Sequence, residues 1–488
     1  MLDELRLDNF QGFGEFQKVP LKPLTLIYGP NASGKSSIIR SLRLLNQSFE
    51  GRGQLGADTF AFEGPLISLA SFENAVHRHD EELVMRIGVS LSHVASRSGL
   101  KRGLYGAIER VDLDWAIESP SRITGIEVTI TPRRKLFLAR IEGGLSERIK
   151  FVFTNGESGL ELDSCEGLEW LSVFSQSGVA LGSFDGAPIG APETEAAFAS
   201  NLDWEWQEVI DAGRFRLRGL LPEYDRLWGG SRISEDSPSL KPPSSQVALV
   251  SYLFDHIRMS LFVNSNGFQY IGPLREISKR VDFSAGSPGN NARIRRNIAS
   301  GEEGGDAIVG EWLEKLTNGR FTLRTLEFQA EPVGFLGALK SETVIDNLTG
   351  TQVTFEDVGV GLSQVLPILR TLGDGRSTSL GGGSTVTIEQ PELHLHPKMQ
   401  SGLSDLFADL VSGRQNLQII AETHSETFLM HIQKRLRSGT LEPDKVQVLF
   451  VDRGPDGNVI TPIPLDPARD FEIDLPVSFT DLRLEEYL

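Results

Sequence analysis

The chain has 488 residues, 39% apolar and 23% charged, and its 48 Lys and Arg against 66 Asp and Glu leave a formal net charge of −18. That length predicts about two to four domains, and the acidic balance excludes a protein that coats nucleic acid with its whole surface, leaving only local basic patches open. Cys165 is the only cysteine, which excludes an intrachain disulfide and a cysteine-based zinc site and favours a reducing compartment. The opening residues show no basic-then-apolar leader, and no run approaches the length of a membrane span, so a soluble cytoplasmic protein with no membrane contact is expected.

In chain order, Leu5–Phe10 and Leu24–Tyr28 read as strands around a short polar interval, as in a hairpin entering a sheet. The second run leads directly into Gly29-Pro30-Asn31-Ala32-Ser33-Gly34-Lys35-Ser36, which fits the phosphate-loop pattern G-x-x-x-x-G-K-[ST]. In such a loop the glycines let the backbone curl so that successive N–H groups face phosphate oxygens. Lys35 neutralises the β and γ phosphates, and Ser36 offers a hydroxyl to Mg²⁺. Apolar residues from Ser37 to Leu45 recur at helical spacing, which would set the phosphates on a helix N-terminus.

Alternating segments follow at Leu83–Val89, Gly125–Ile130, Lys135–Arg140 and Ile149–Phe153, predicting an antiparallel β-rich lobe. From Thr194 the pattern is helical and interrupted around Trp204 and Trp206. A Ser/Pro-rich run from Gly229 to Ser245 reads as a connection, and a helix resumes over Gln246–Phe254. Arg275, Lys279, Arg280, Arg293, Arg295 and Arg296 crowd one Gly/Ser/Asn-rich stretch, with Arg133-Arg134-Lys135 a smaller basic group. Either these are solvated loops or they contact phosphate of DNA, RNA or nucleotide.

The last third alternates strand and helix: Thr385–Ile388, a helix striped by Met399, Leu403, Leu406 and Leu410, then Leu417–Ala421, a helix marked by Phe428, Leu429, Ile432 and Leu436, and Val446–Val451. Such alternation predicts parallel strands with crossover helices. The expected organisation is a lobe over 1–193 with the phosphate loop and the β subdomain, a helical insertion over 194–268, and a second lobe over 269–488.

A phosphate loop needs a carboxylate at the end of a second strand to hold Mg²⁺, and Glu389 stands there. The stretch Thr385–Pro397, with Glu389-Gln390-Pro391-Glu392-Leu393-His394-Leu395-His396, resembles the acidic motif of ABC-type ATPases, most of all the branch containing the overcoming-lysogenization-defect (OLD) nucleases and the AAA15-type ATPases. Ala421-Glu422-Thr423-His424-Ser425 resembles that group's switch-histidine motif. Phe355–Pro367, carrying Gly359, Gly361 and Ser363, resembles its signature segment. Tyr270–Arg275 and Asp474–Phe479 also resemble the AAA15 branch.

The resemblance implies an α/β fold, an ABC-type P-loop ATPase core with a β-rich lobe and a helical insertion. ATP would be bound by Gly29, Pro30, Asn31, Ala32, Ser33, Gly34, Lys35, Ser36 and Ser37, with Mg²⁺ on Ser36 and Glu389. Glu389, Gln390 and His424 would be catalytic, and Gly359, Gly361 and Ser363 would face the γ-phosphate held by the opposite subunit. A homodimer or higher even-numbered oligomer follows. No Toprim nuclease domain is expected, because the ATPase strands run almost to Leu488. The resemblance to Septu and PARIS types implies an anti-phage defence switch acting on a separate nuclease or toxin; a DNA-binding repair clamp resembling RecF or a short SMC protein is the alternative.

Gln390 departs from the family pattern. Most ABC-type ATPases carry a glutamate there to polarise the attacking water, and an amide cannot accept that proton. Slow hydrolysis is expected, unless Glu392, Glu389 or His424 positions the water instead. His394 and His396, and the cluster His77, His79, Asp80, Glu81 and Glu82, read better as loop residues than as metal ligands. Glu422 reads as a strand-end carboxylate or a supporting group beside His424.

Overall fold

The computed structural model describes residues 1–50, 59–92, 108–133, 146–156, 159–167, 170, 215–218, 220–224, 250, 253–255, 257–258, 261, 267–275, 303–328, 339–354, 357–373, 383–414 and 416–465. The chain forms two compact units, and both are discontinuous in sequence. The first comprises Met1–Pro20, Arg40–Asn266 and Thr378–Gly383; the second comprises Leu21–Ile39, Gly267–Ser377 and Ser384–Leu488. The phosphate loop therefore belongs with the C-terminal third rather than with the antiparallel strands that follow it in sequence.

In the first unit, β1 (Leu2–Asp8) and β2 (Gln17–Pro20) pair antiparallel, with Leu5 opposite Val19. The strand Leu24–Tyr28, β3, joins a different sheet, so the hairpin expected between the first two apolar runs closes instead within residues 2–20. The sheet continues through β4 (Met85–Ser92), β5 (Ile108–Glu118), β6 (Arg122–Pro132), β7 (Ile149–Gly156), β8 (Gly159–Glu166), β9 (Phe215–Arg218) and β10 (Leu221–Tyr224). Among the described residues it has nine strands in the order β10-β9-β8-β7-β6-β5-β4-β1-β2. In β5, Val111, Leu113, Trp115 and Ile117 are buried and alternate with more exposed neighbours, as one covered face requires.

Two short strands stand where the sequence reads helical after Thr194, because Phe215-Arg216-Leu217-Arg218 repeats with period two. The expected strand Lys135–Arg140, Trp204 and Trp206, the run Gly229–Ser245, most of the helix over Gln246–Phe254, and Asp474–Phe479 lie outside the described residues.

The second unit is built on β11 (Phe268–Ile271), β15 (Ser384–Glu389), β16 (Leu417–Glu422), β3, β17 (Val446–Arg453) and β18 (Asn458–Ile463), in that spatial order. All pairings are parallel except β17 with β18. A further antiparallel sheet of β12 (Phe321–Phe328), β13 (Leu339–Asp346) and β14 (Thr351–Thr354) also belongs to this unit.

Five helices are used here: α1 (Lys35–Glu50), α2 (Glu303–Leu316), α3 (Val360–Gly373), α4 (Pro397–Gly413) and α5 (Glu426–Arg437). In this unit, Leu26, Ile388 and Ile419 of the sheet share one core with Trp312 and Leu313 of α2, Leu366 and Leu369 of α3, Phe407 of α4 and Phe428 of α5. The Phe407 and Phe428 rings meet edge to face at 5.7 Å. All five residues of β3 are buried, and each large apolar side chain there is worth about 2 kcal/mol of transfer free energy.

Candidate nucleotide-binding site

Parallel register sets the site. Glu389 is paired with Glu422, and Glu422 with Ile27, so β15, β16 and β3 end level at their C-terminal edge, where α/β sheets bind ligands. Two backbone bonds stitch these ends together: Gln390 N–H to the Glu422 carbonyl (2.8 Å) and Thr423 N–H to the Ile27 carbonyl (3.1 Å).

The phosphate loop leaves β3 and enters α1. Gly29 has φ of +147°, and a Cβ there would stand 2.1 Å from the Val451 carbonyl oxygen and 2.8 Å from Ser33 Oγ, so only glycine makes the turn. Lys35 is 3% exposed and donates to the loop carbonyls of Gly29 (2.9 Å) and Pro30 (2.7 Å). Burial pushes its ammonium below the ordinary lysine range, and the charges of Glu422 and then Glu392 oppose that shift. Ser33 Oγ is buried and has no partner among the described residues. A buried ammonium and an unpartnered hydroxyl in a glycine loop that opens a helix fit a phosphate anion.

Ser36 Oγ donates to Glu422 Oε2 at 2.8 Å. The sequence assigned the metal-side acid to Glu389; the carboxylate in contact with Ser36 is Glu422, because β16 lies between β15 and β3. Glu389 stands one strand further from the loop, level with Glu422. A serine hydroxyl and strand-end carboxylates are the hard oxygen donors that Mg²⁺ takes.

Glu392 is the acid that organises the switch segment. Its Oε1 accepts from His424 N–H (2.7 Å) and its Oε2 from Thr423 Oγ1 (2.8 Å). Burial raises its carboxyl above the usual range, against the lowering effect of these bonds and of the Arg275 charge. The His424 imidazole is pushed below its ordinary value, by desolvation first and by the Lys35 charge second.

Around this segment, Tyr28 Oη donates to the Ser425 carbonyl (3.1 Å), and Ser425 Oγ donates to Gln400 Oε1 (2.7 Å) while accepting from Phe428 N–H to cap α5. Burial first, then the charges of Glu392 and Glu426, keep Tyr28 a neutral donor.

The signature segment opens α3. Gly359 is exposed, and a Cβ there would meet nothing within 4 Å. A Cβ at Gly361 would stand 2.8 Å from the His394 carbonyl oxygen, which brings the helix start against the loop after the acidic strand. Ser363 departs from its expected outward role: it is 3% exposed, and its Oγ donates to the Val360 carbonyl at 2.8 Å, one turn back in its own helix. Gly359 and Gly361 are thus the members of the expected set that lie at the helix start.

The basic stretch needs a second correction. Arg275 is 7% exposed and bonded to Gln364 and to the Glu389 and Gln390 carbonyls, so it is neither a solvated loop residue nor free for a nucleic-acid phosphate. Lys279, Arg280, Arg293, Arg295 and Arg296 lie outside the described residues. His394 and His396 are exposed, and His396 Nδ1 accepts from Lys398 N–H at the start of α4. His77 and His79 bond the Gln11 and Glu73 carbonyls. Among the described residues no group of three or more His, Cys, Asp or Glu is gathered to hold a metal, and no helix is long and apolar enough to cross a membrane.

Two segments match known families: residues 294–429 match the AAA ATPase domain, and residues 4–52 match the AAA domain. No curated protein matches the chain. Among solved structures, the SMC head domain from Thermotoga maritima is similar at 11% identity and a TM-score of 0.39, covering 95% of this chain and 99% of that one. The Smc head domain of Pyrococcus furiosus, solved with an extended coiled coil and bound to the C-terminal domain of ScpA, is similar at 10% identity and a TM-score of 0.37, covering 100% of this chain and 99% of that one. Likenesses this distant carry nothing about what the chain binds. The family matches contain the phosphate loop and the acidic strand, and with the parallel sheet that carries both they support an α/β P-loop ATPase fold.

Proposed function

We propose that the protein is a MgATP-driven switch. Two copies close head to tail, each giving its phosphate loop to one nucleotide and the start of its α3 to the other, and reopen after hydrolysis. The observation that carries this reading is the exposed start of α3 at Gly359 and Val360, in the same compact unit as the phosphate loop. A helix N-terminus with small residues accepts a phosphate brought by another chain.

Lys35 and the loop N–H groups hold the phosphates, and Ser36 with Glu422 and Glu389 would hold Mg²⁺. The bound cation would neutralise charge on the phosphate oxygens. The Gln390 amide can accept a hydrogen bond from the attacking water but cannot take up its proton, so the closed state is long-lived. Glu392 holds the His424 segment level with the strand ends. The resemblance in the acidic, switch and signature motifs supports a separate effector, a nuclease or toxin of prokaryotic anti-phage defence, as what the switch controls.

Light scattering with a non-hydrolysable ATP analogue, joined to phosphate release by wild type and Gln390→Glu, tests the cycle. The analogue should shift monomer to dimer, and Gln390→Glu should raise turnover about tenfold. A chain that stays monomeric with saturating nucleotide would refute the switch. Co-purification from the native host then separates a protein effector from a DNA-only complex, and the latter outcome would replace the effector reading with a DNA clamp.

A further inference from the structure

Arg275 joins two motifs that are far apart in sequence. Its backbone N–H donates to Gln364 Oε1 (3.3 Å), Gln364 Nε2 returns a bond to the Arg275 carbonyl (3.1 Å), and Arg275 Nη1 donates to the Gln364 carbonyl (3.4 Å). Its Nη2 donates at 2.9 Å to the carbonyls of both Glu389 and Gln390. One guanidinium thus spans from α3, one turn beyond Val360, to the residues where β15 ends. Burial pushes that guanidinium down to about 10, so it stays charged at neutral pH.

The acceptors at the acidic strand are backbone carbonyls. Holding both fixes the peptide planes that aim the Glu389 and Gln390 side chains, and a rigid planar fork suits this in a way a lysine cannot. Gln390 has φ of +46°, a left-handed conformation that a non-glycine residue keeps only when its surroundings enforce it. Beside Arg275, Leu274 is 86% exposed, and Val360 at the start of α3 is 53% exposed. Arg275 itself and the α3 end of its link therefore each have an apolar neighbour at the surface.

We propose that Arg275 is a positioning residue that makes hydrolysis conditional on the dimer. A second copy of this chain, seated on Leu274 and Val360 at the start of α3, shifts Gln364 and Arg275, and Arg275 re-aims Glu389 and Gln390. The inference rests on the head-to-tail reading above and adds to it the internal route by which the trans contact reaches the acid strand.

Arg275→Lys and Gln364→Met in the full chain test it. The first keeps the charge without the fork; the second keeps side-chain length without the amide and stands in if the first does not fold. Three quantities are read: affinity for a fluorescent ATP analogue, nucleotide-dependent dimerisation, and phosphate release per molecule as protein concentration rises through the dimerisation range. Each variant should bind and dimerise as wild type yet lose about tenfold of the hydrolysis gained on dimerisation. The double variant should lose no more than either single one, since both break the same link.

Wild-type hydrolysis in either folded variant overturns the proposal. So does parallel loss of binding, dimerisation and hydrolysis, which would make Arg275 merely structural. A wild type whose activity does not rise with dimerisation would instead fail the head-to-tail reading, a distinguishable result.

Discussion

Among the described residues, the antiparallel sheet of the first unit and the mostly parallel sheet of the second treat buried charge in opposite ways. In the first, Arg6 of β1 is 8% exposed and meets Asp114 through Nε (2.7 Å) and Nη2 (3.0 Å), Glu4 (3.0 Å) and Ser90 Oγ (2.6 Å) through Nη1, and the Val89 and Leu113 carbonyls through Nη2. Every nitrogen of its guanidinium is used, and its acids are satisfied on the same sheet. In the second, the polar groups gather at three strand ends and stay partly open. Among the described residues, Lys35 is held only by the carbonyls of its own loop, and Ser33 Oγ has no partner. A closed network holds a sheet together, whereas an open one keeps capacity for a ligand.

The largest effect that could break this contrast is at Arg6. Arg6→Met strands half-buried acids and the buried Ser90 hydroxyl, and should cost about 2–3 kcal/mol in urea unfolding of the full chain, while protein that remains folded still binds ATP. A cost below about 1 kcal/mol would show that the closed network is not structural.

Glu422→Gln sharpens the other side. If the Ser36–Glu422 bond marks the metal side of the loop, the Mg²⁺-dependent part of nucleotide affinity should fall about tenfold or more, read as binding with Mg²⁺ against EDTA. Affinity that remains fully Mg²⁺-dependent would return the metal-side role to Glu389 alone.

Glu392 offers a pH readout. Its raised pKa means the unfolded chain gives up this proton more easily, so the ionised group costs stability at neutral pH, and that cost fades as pH falls through the folded value. Acid loss of turnover in that window should therefore come without unfolding, above the usual glutamate range of about 4.3. Glu392→Gln should remove the titration and leave the His424 limb, which lies below the ordinary histidine range. A wild-type acid limb that coincides with melting would contradict this. The smallest effect is at the cap of α5: Ser425→Ala should cost about 1 kcal/mol in thermal unfolding and slow turnover only slightly.

The parallel sheet was legible because its strands are short apolar runs buried on both faces, each followed at its C-terminal end by a motif: Gly29–Ser36 after β3, Glu389 after β15, His424 after β16. Less could be read where the signal depends on a partner. The alternation of Val111, Leu113, Trp115 and Ile117 was there to be read as β5, whereas the sheet of β12, β13 and β14 shows no such alternation of burial among its described residues. Glu422 reads as an ordinary strand-end acid until β16 is placed beside β3, and only that neighbour brings it to Ser36. Arg275 misleads for a similar reason. It stands first in a run of basic residues, and composition assigns the run to solvent, but the fold buries this member against two carbonyls that lie more than a hundred residues away. Ser363 shows the same limit at the signature, where the residue type fits a phosphate contact and the helix turns the hydroxyl inward.

The composite site is the centre of this account, and complementation between two disabled chains tests it most directly. Lys35→Ala removes the phosphate-binding ammonium, and Gly359→Asp places a charge at the exposed start of α3. Each variant alone should release almost no phosphate. Mixed in equal amounts, they should recover activity, because one site of the mixed dimer then joins an intact loop to an intact helix start. Mixed dimers that form under nucleotide and stay as inactive as either parent would contradict the account.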